Sequence, residues 1–290
     1  MSARPEIHFA HGEDRPALGL GTWRLGENPS GAAAEVALLR AAIDMGWRVF
    51  DTAEMYGDGG AETVLGRALA PALAGGQVDA LRREDLFVVS KLLPQQTSAD
   101  GVERACEASL RRLGLESIDL YLLHWRGALP LAQAIRGFER LQRRGLIRLW
   151  GVSNFDRGDM LDLVGLPGGA ACAANQVYYS LGERGPDFEL LPWQRARQMP
   201  LMAYCPLDQG ALADHPALRP LALRHGVTPA QVAIAWLLAQ GGVMPIPKAG
   251  SLLHLRHNLA AAQLQLDMDD LQVLDAHFPP PRRRSPLAMR

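Results

Sequence analysis

The chain contains 290 residues, 48% of them hydrophobic, which is enough to build a substantial core. Its 30 lysine and arginine residues nearly balance 31 aspartate and glutamate residues, so no global charge directs it to nucleic acid or a membrane surface. No apolar run reaches the ~18 residues that a transmembrane helix needs. The three cysteines fit neither a disulfide framework nor a metal site. We therefore expect a reduced, cytoplasmic protein without a bound metal.

The beginning of the chain predicts a short β-hairpin, with apolar runs 7–10 and 17–20 flanking a polar turn, 11–15. From residue 18 onward, apolar runs of strand length alternate with longer segments of helical periodicity. Further strands are predicted at 49–50, 86–90, 118–123, 147–152, 171–174, 201–203 and 243–246, and helices at 32–44, 61–73, 102–113, 132–144, 158–164, 189–198, 229–239, 252–261 and 269–277. An irregular tail rich in proline and arginine follows the last helix.

Strict alternation of strands and helices predicts a parallel sheet. Eight such units in ~250 residues match a closed (β/α)8 barrel. A doubly wound sheet is the main alternative, but it usually carries a Gly-x-Gly-x-x-Gly turn after its first strand. Here Gly19-Leu20-Gly21 is followed by Thr22-Trp23-Arg24, without the third glycine. We predict an α/β protein: a (β/α)8 TIM barrel forming one domain over 1–290, with an N-terminal hairpin and an extra C-terminal helix.

Polar side chains follow or end every predicted strand of the barrel. Active sites in this fold lie at the carboxyl ends of the strands, so these side chains are expected at one rim. Any one of them has an ordinary explanation as a turn residue, whereas the whole set predicts a site. The set comprises Thr22, Asp51, Lys91, His124, Ser153, Asn154, Gln176, Tyr204 and Lys248.

Asp51, Lys91 and His124 belong to consecutive predicted strands. Neighbouring strands lie ~4.8 Å apart, so side chains at their ends can reach one another. A buried Asp51–Lys91 salt bridge and a core histidine are the purely structural alternatives. Neither explains why Tyr56 follows on the glycine-rich stretch 57–60 beside the pair.

Motifs along nearly the whole chain resemble the aldo-keto reductase family. This resemblance implies a (β/α)8 barrel, a nicotinamide cofactor bound without a Rossmann fold, and reduction of a carbonyl to an alcohol. The motifs that carry it are Gly19-x-Gly21-Thr22-Trp23, Asp51-Thr52-Ala53-x-x-Tyr56-Gly57, Lys91, Leu123-His124-Trp125, Gly151-Val152-Ser153-Asn154-Phe155, Asn175-Gln176, Tyr204-x-Pro206-Leu207 and Ile246-Pro247-Lys248.

The chemistry of four side chains fits carbonyl reduction. Hydride addition leaves charge on the carbonyl oxygen, which needs a proton donor, and Tyr56 is predicted to be that general acid. A free phenol has a pKa of about 10, so a nearby cation must favour the phenolate. Lys91 supplies the cation, Asp51 holds Lys91 charged and oriented, and His124 orients the carbonyl.

The resemblance also implies a cofactor site. Ser153, Asn154 and Gln176 would bind the nicotinamide carboxamide, and Tyr204 would stack on the ring. Trp23 and Trp125 would line the substrate pocket with Tyr56 and His124. Further cofactor contacts are expected from Gly21, Thr22, Trp23, Asp51, Cys205, Pro206, Leu207, Ile246, Pro247, Lys248, Ser251, Arg256 and Asn258.

The last motif departs from the family pattern. Many members carry an arginine six residues after the lysine, where it grips the extra phosphate of NADP, but this chain has His254 there. Lys248, Ser251 and Arg256 remain candidates for that phosphate site, although the arginine fork is missing from its usual place. We therefore expect NADP(H) as the preferred cofactor, with NAD(H) as the alternative.

The links at 125–130, 206–216 and 279–290 are short, which favours an open pocket for small aldehydes and dicarbonyls such as methylglyoxal. The expected protein is a monomeric, NADP-dependent carbonyl reductase whose only partner is its small-molecule substrate.

A cofactor-binding regulatory barrel with little turnover is the principal alternative. A barrel glycosidase is weaker because it needs two carboxylates across a sugar, whereas Asp51 and Glu54 share one loop.

Overall fold

The computed structural model describes residues 5–9, 13–74 and 81–290. It begins with an antiparallel hairpin of β1 (Glu6–Phe9) and β2 (Glu13–Pro16). The predicted second hairpin strand at 17–20 was therefore wrong, because β2 lies within the polar stretch taken as a turn.

The polarity of β2 has a physical reason, since the hairpin is partly exposed to solvent. β1 alternates exposed with buried residues, and the exposed His8 hydrogen-bonds through Nδ1 to Asp14 Oδ1 across the strands, at 2.9 Å. Polar residues thus belong on the strand as well as in its turn. Residue 10 of the first predicted run and residues 11–12 of the predicted turn lie outside the described part of the chain.

The chain divides into two compact units, of which the first comprises Leu20–Ser153 and Gly158–Ala173. Its strands pair in parallel and in chain order, β3 with β4, β4 with β5, β5 with β6, and β6 with β7. Its elements are β3 (Leu20–Gly21), α1 (Ala32–Asp44), β4 (Val49–Asp51), α2 (Gly60–Leu73), β5 (Phe87–Leu92), α3 (Ala99–Leu113), β6 (Ile118–Leu123), α4 (Leu131–Arg143), β7 (Ile147–Ser153) and α5 (Arg157–Val164).

The second unit comprises Met1–Gly19, Asn154–Arg157 and Ala174–Arg290. Beyond the hairpin, its parallel strands pair β8 with β9 and β9 with β10. Its further elements are β8 (Asn175–Tyr178), α6 (Leu190–Arg195), β9 (Leu201–Tyr204), α7 (Arg219–His225), α8 (Pro229–Ala239), β10 (Val243–Pro245), α9 (Leu252–Ala260) and α10 (Met268–His277).

The strands β3 to β10 make an eight-stranded sheet in which strand order follows chain order. Every residue of β5 and β6 is buried, as expected for parallel strands of which both faces are covered. The predicted (β/α)8 class, the N-terminal hairpin and the extra C-terminal helix α10 are confirmed. The assignment of 1–290 to one domain stays a prediction.

Several predicted boundaries need correction. The strand predicted at 171–174 is β8, which begins only at Asn175, so Asn175 and Gln176 lie inside a strand rather than after it. Alanines dominate 171–174 and have little preference for strands, whereas the Asn175 side chain is buried and donates to Phe155 O at 2.8 Å.

Helix boundaries also differ in the second unit. The helix predicted at 189–198 is shorter in the structure, where α6 spans Leu190–Arg195. Gln198 has a positive φ of 53°, so the chain is no longer helical before it reaches Pro200. Helix α7 was not predicted, although Gly226, in a left-handed conformation at its end, is a typical stop signal. Among the described residues, no helix is long and apolar enough to cross a membrane.

Candidate active site

Three strands of the first unit bring the predicted catalytic side chains together. Asp51 is the last residue of β4, Lys91 lies near the end of β5, and His124 directly follows β6. The backbone N–H of His124 donates to Leu92 O at 3.0 Å, so pairing with β5 continues past the end of β6. All three side chains are buried, at 2%, 0% and 7% exposure respectively.

The Lys91 ammonium is fully hydrogen-bonded. It donates to Asp51 Oδ2 at 2.8 Å, to Thr52 O at 2.9 Å and to Tyr56 Oη at 3.1 Å. These bonds use all three ammonium donors. Burial lowers the pKa of Lys91, but the charge of Asp51 and the phenol of Tyr56 outweigh it and raise that pKa above its ordinary value. A stable cation therefore lies against the phenol oxygen.

Tyr56 is held on a tight turn between β4 and α2. Its backbone N–H donates to Ala53 O at 3.1 Å, and the Ala61 N–H donates to Tyr56 O at 3.1 Å. Gly57 and Gly59 have positive φ values of 57° and 82°, which glycine adopts without strain.

Backbone packing fixes this turn against the loop that follows β3. A Cβ atom on Gly26 would lie 2.2 Å from the Gly60 carbonyl carbon, and a Cβ atom on Gly60 would lie 2.3 Å from Gly26 O. Both positions therefore require glycine. We call this contact the Gly26–Gly60 contact.

His124 is a neutral imidazole. Burial first and the charge of Lys91 second lower its pKa from 6.5 to about 3. Its ring meets the Tyr56 ring edge-on, with centroids 5.8 Å apart, and the centroid of the tilted Trp125 ring lies 5.0 Å away. At neutral pH, one ring nitrogen therefore carries a proton that can be donated to a hydrogen-bond acceptor.

Thr22 and Trp23 lie directly after β3 in the same unit. The buried Thr22 hydroxyl donates to Asp51 O at 3.0 Å, and its backbone N–H donates to the same oxygen at 2.9 Å. Thr22 thus fastens the end of β3 to the end of β4. Trp23 is partly exposed, with the Arg24 guanidinium 4.6 Å over its ring.

In the second unit, the predicted nicotinamide contacts Asn154, Gln176 and Tyr204 are close together. The backbone N–H of Asn154 donates to Gln176 O at 2.8 Å, and Tyr204 Oη donates to Asn154 Oδ1 at 2.9 Å. Gln176 is buried, and its amide nitrogen lies 3.9 Å from Met202 Sδ. Ser153, the remaining member of this group, is the last residue of β7 in the first unit.

Sequence reasoning missed three residues that support Tyr204. The Tyr178 and Tyr204 rings are stacked, with their centroids 5.7 Å apart. The Tyr178 hydroxyl donates a hydrogen bond to the Asp208 carboxylate. The backbone N–H of Arg290 donates to Tyr204 Oη at 3.3 Å, and its guanidinium lies 5.6 Å over the Tyr178 ring. An aromatic residue two positions after Gln176, on the same face of a strand, was the signal available for Tyr178.

The loop after β9 contains the predicted contacts Cys205, Pro206 and Leu207. Cys205, Asp208 and Gln209 all have positive φ values, of 48°, 48° and 53°. Non-glycine residues in this conformation cost about 1–3 kcal/mol each and cluster at functional sites. The backbone N–H groups of Asp208 and Gly210 donate within the loop, to Cys205 O and Leu207 O, both at 2.9 Å.

The remaining predicted cofactor residues lie around β10 and α9. Ile246 donates its backbone N–H to Ala203 O at 3.0 Å and is followed by Pro247. Ser251 caps α9, because its Oγ accepts the His254 N–H at 3.2 Å. Asn258 is buried on α9, whereas Lys248 and Arg256 are both exposed.

Within the described ranges, no group of three or more His, Cys, Asp or Glu side chains is placed to hold a metal ion. Cys106 and Cys172 are buried thiols, and burial raises the pKa of Cys106 to about 12.

Comparison with known proteins identifies the family. The profile of the aldo/keto reductase family matches residues 17–278. Methylglyoxal reductase YeaE of Escherichia coli K12 is 43% identical over 288 residues, covering 98% of each chain. A crystal structure of an aldo-keto reductase from Klebsiella pneumoniae in complex with NADPH is 42% identical, covers 100% of both chains and has a TM-score of 0.93.

A second Klebsiella pneumoniae structure, in complex with NADP and acetate, is 43% identical with a TM-score of 0.93 and covers 99% of this chain and 100% of that one. The resemblance read from the motifs is thereby confirmed, and the alternative of a regulatory barrel finds no support in these relatives. The chain belongs to the aldo/keto reductase family and is an oxidoreductase of carbonyl groups.

Proposed function

We propose that this protein reduces small aldehydes and dicarbonyls such as methylglyoxal to alcohols with NADPH, using Asp51, Lys91, Tyr56 and His124 as its catalytic residues. One observation carries the proposal: a fully buried ammonium donates both to a carboxylate and to the oxygen of a partly exposed phenol. Because Lys91 donates to Tyr56 Oη, the phenol oxygen is the acceptor in this pair and the phenol keeps its own proton.

The chain's residues act on the carbonyl oxygen. When bound, the nicotinamide cofactor supplies the hydride. Tyr56 then gives its proton to the oxygen as negative charge develops there, and Lys91 stabilises the phenolate left behind. Asp51 keeps Lys91 charged and aimed at Tyr56. The neutral His124 ring donates a hydrogen bond that orients the carbonyl.

The residues of the second unit fit a nicotinamide dinucleotide. Tyr204 offers a flat ring for stacking, and Asn154 and Gln176 offer amide groups for the carboxamide. The loop at 205–210, which directly follows Tyr204 and has three non-glycine residues with positive φ, is a further proposed contact for the cofactor. The proposed cofactor contacts also include Ser153, Gly21, Thr22, Trp23, Ile246 and Pro247.

The preference for NADPH over NADH rests on Lys248 and Arg256. Both are exposed cations, and Arg256 lies on α9 two positions beyond the usual arginine. The Ser251 hydroxyl accepts from His254 N–H and still carries its own proton for a phosphate oxygen. Asn258, also a proposed contact, is a buried residue of α9.

The proposed substrate class is supported by the relative that is a methylglyoxal reductase. The aromatic side chains of Trp23 and Trp125 are partly exposed and would line a pocket beside Tyr56 and His124. We further propose that the protein is a cytoplasmic monomer forming one domain, with no nucleic-acid or membrane partner.

The test follows loss of NADPH absorbance with methylglyoxal and with a nitrobenzaldehyde, for the native protein and for Tyr56→Phe. We expect turnover to fall about 10²–10⁴-fold in the variant, the contribution typical of a positioned proton donor. NADPH binding, followed by fluorescence, should be unchanged. Parallel assays with NADH measure the cofactor preference. Near-native turnover in Tyr56→Phe would exclude Tyr56 as the acid.

A further inference from the structure

Beyond β4, the chain continues to pair with β5. The backbone N–H of Thr52 donates to Val89 O at 2.9 Å, and the backbone N–H of Glu54 donates to Lys91 O at 3.2 Å. These bonds extend the parallel ladder past Asp51, so the segment leading to Tyr56 still runs along the strand that carries Lys91.

The next bond of the ladder is made by a side chain. In a regular parallel pair, a residue that donates to one partner accepts, through its own carbonyl, from the residue two positions further along. Here Glu54 donates to Lys91, and its carboxylate Oε1 accepts the Leu93 N–H at 2.7 Å. Glu54 is therefore hydrogen-bonded to the neighbouring stretch of chain on both sides of Leu92, directly after Lys91, while its own main chain turns away toward Tyr56.

We infer that Glu54 is a positioning residue for the proton donor, because it fixes the Tyr56 turn against β5 and thereby sets the distance between Lys91 Nζ and Tyr56 Oη. This inference rests on the proposed function, in which these two groups deliver the proton. Glu54 acts through them, and that distance is 3.1 Å.

Placing a carboxylate at position 54 has a cost that its hydrogen bonds must offset. Burial raises the pKa of its carboxyl group, and the Leu93 N–H opposes that rise. The side chains of Glu62 and Asp58 also raise the pKa, whereas Arg112 lowers it. A partly buried carboxylate is costly unless its hydrogen bonds are strong. The Leu93 bond is therefore the main compensation for placing an acid here.

The test compares Glu54→Ala with Glu54→Gln in steady-state reduction of methylglyoxal by NADPH. Alanine removes the acceptor for Leu93 N–H, whereas the glutamine amide oxygen keeps one. We expect Glu54→Ala to lower kcat on the order of 10²-fold, the effect of misplacing a reacting group by about 1 Å. The Kd for NADPH should not change, and Glu54→Gln should recover most of the lost turnover.

Asp85→Ala is the matched control, because Asp85 Oδ2 accepts the Arg82 N–H at 2.8 Å just before the opposite end of β5. This substitution also removes a carboxylate that accepts a backbone N–H, but at a place distant from Lys91, and it should leave kcat unchanged. A thermal melt of each variant establishes that it is folded.

A slower chemical step should also raise the solvent deuterium isotope effect on kcat in Glu54→Ala, which a general loss of folded protein would not do. Native kcat in Glu54→Ala, an equally low kcat in Glu54→Gln, or a parallel loss of NADPH affinity would each overturn the inference. Absence of turnover in the native protein would instead overturn the proposed function.

Discussion

Acidification should destabilise the protein through His124. The unfolded chain binds a proton at this residue below its ordinary pKa of 6.5, whereas the folded protein resists protonation until about pH 3. A group whose pKa is depressed on folding contributes stability above its unfolded pKa and loses that stability as the pH falls. The affected range is therefore from pH 6.5 down to about 3.

The size of the effect follows from the same two values. Each pH unit in which only the unfolded state binds the proton lowers the unfolding free energy by about 1.4 kcal/mol. Between about pH 7 and about pH 4.5, His124 should therefore cost the native protein about 2.5 kcal/mol. His124 is only 7% exposed, so solvent screens little of this effect.

Urea unfolding followed by circular dichroism at these two pH values measures it, for the native protein and for His124→Gln. Glutamine fills a similar space and does not titrate. The variant should lose about 2.5 kcal/mol less than the native protein over this range, whatever its stability near neutral pH. Equal losses in both proteins would refute the assignment of a buried neutral imidazole.

Two further substitutions separate chemistry from stability. Asp51→Asn removes the anion paired with the fully buried Lys91. It should lower the free energy of unfolding, measured in urea, by about 3–5 kcal/mol and should also lower kcat. Native stability together with native kcat would contradict the role given to the pair. Asp119 is buried near the amino end of β6 and accepts hydrogen bonds from Val88 N–H at 2.8 Å, from Arg83 at 2.7 Å and from Arg148. Asp119→Asn should lower stability by about 3 kcal/mol without changing kcat near neutral pH, and a matching fall in kcat would show that this end of the sheet is coupled to the site.

Much of the candidate site was predictable because strand ends leave a clear pattern in the sequence. Asp51, Lys91 and His124 each close or follow an apolar run, and the fold alone places such residues at one end of the sheet. The structure brings them together as expected and adds the contact between Lys91 and Tyr56 Oη.

Other features depend on contacts that no local pattern reveals. The sequence context of Glu54 is that of an ordinary acidic loop residue. Its role comes from its hydrogen bond to Leu93, which directly follows β5. Tyr178 supports Tyr204 by stacking on its ring. Asp208 in turn holds Tyr178 by a hydrogen bond between residues that are far apart in the chain.

The hairpin boundary was missed for a related reason. Three of the four residues of β2 are polar, and Asp14 and Arg15 are at least partly exposed; polarity alone does not distinguish an exposed strand from a turn.

The Gly26–Gly60 contact limits how this enzyme can be diversified. The loop after β3 touches the first residue of α2 through the main chain, leaving no room for even a methyl group at either position. Random mutagenesis that spans both positions would therefore fill a library with misfolded or inactive clones at these two codons. A search for variants with new substrates should keep Gly26 and Gly60 fixed and randomise the partly exposed Trp23 and Trp125 instead.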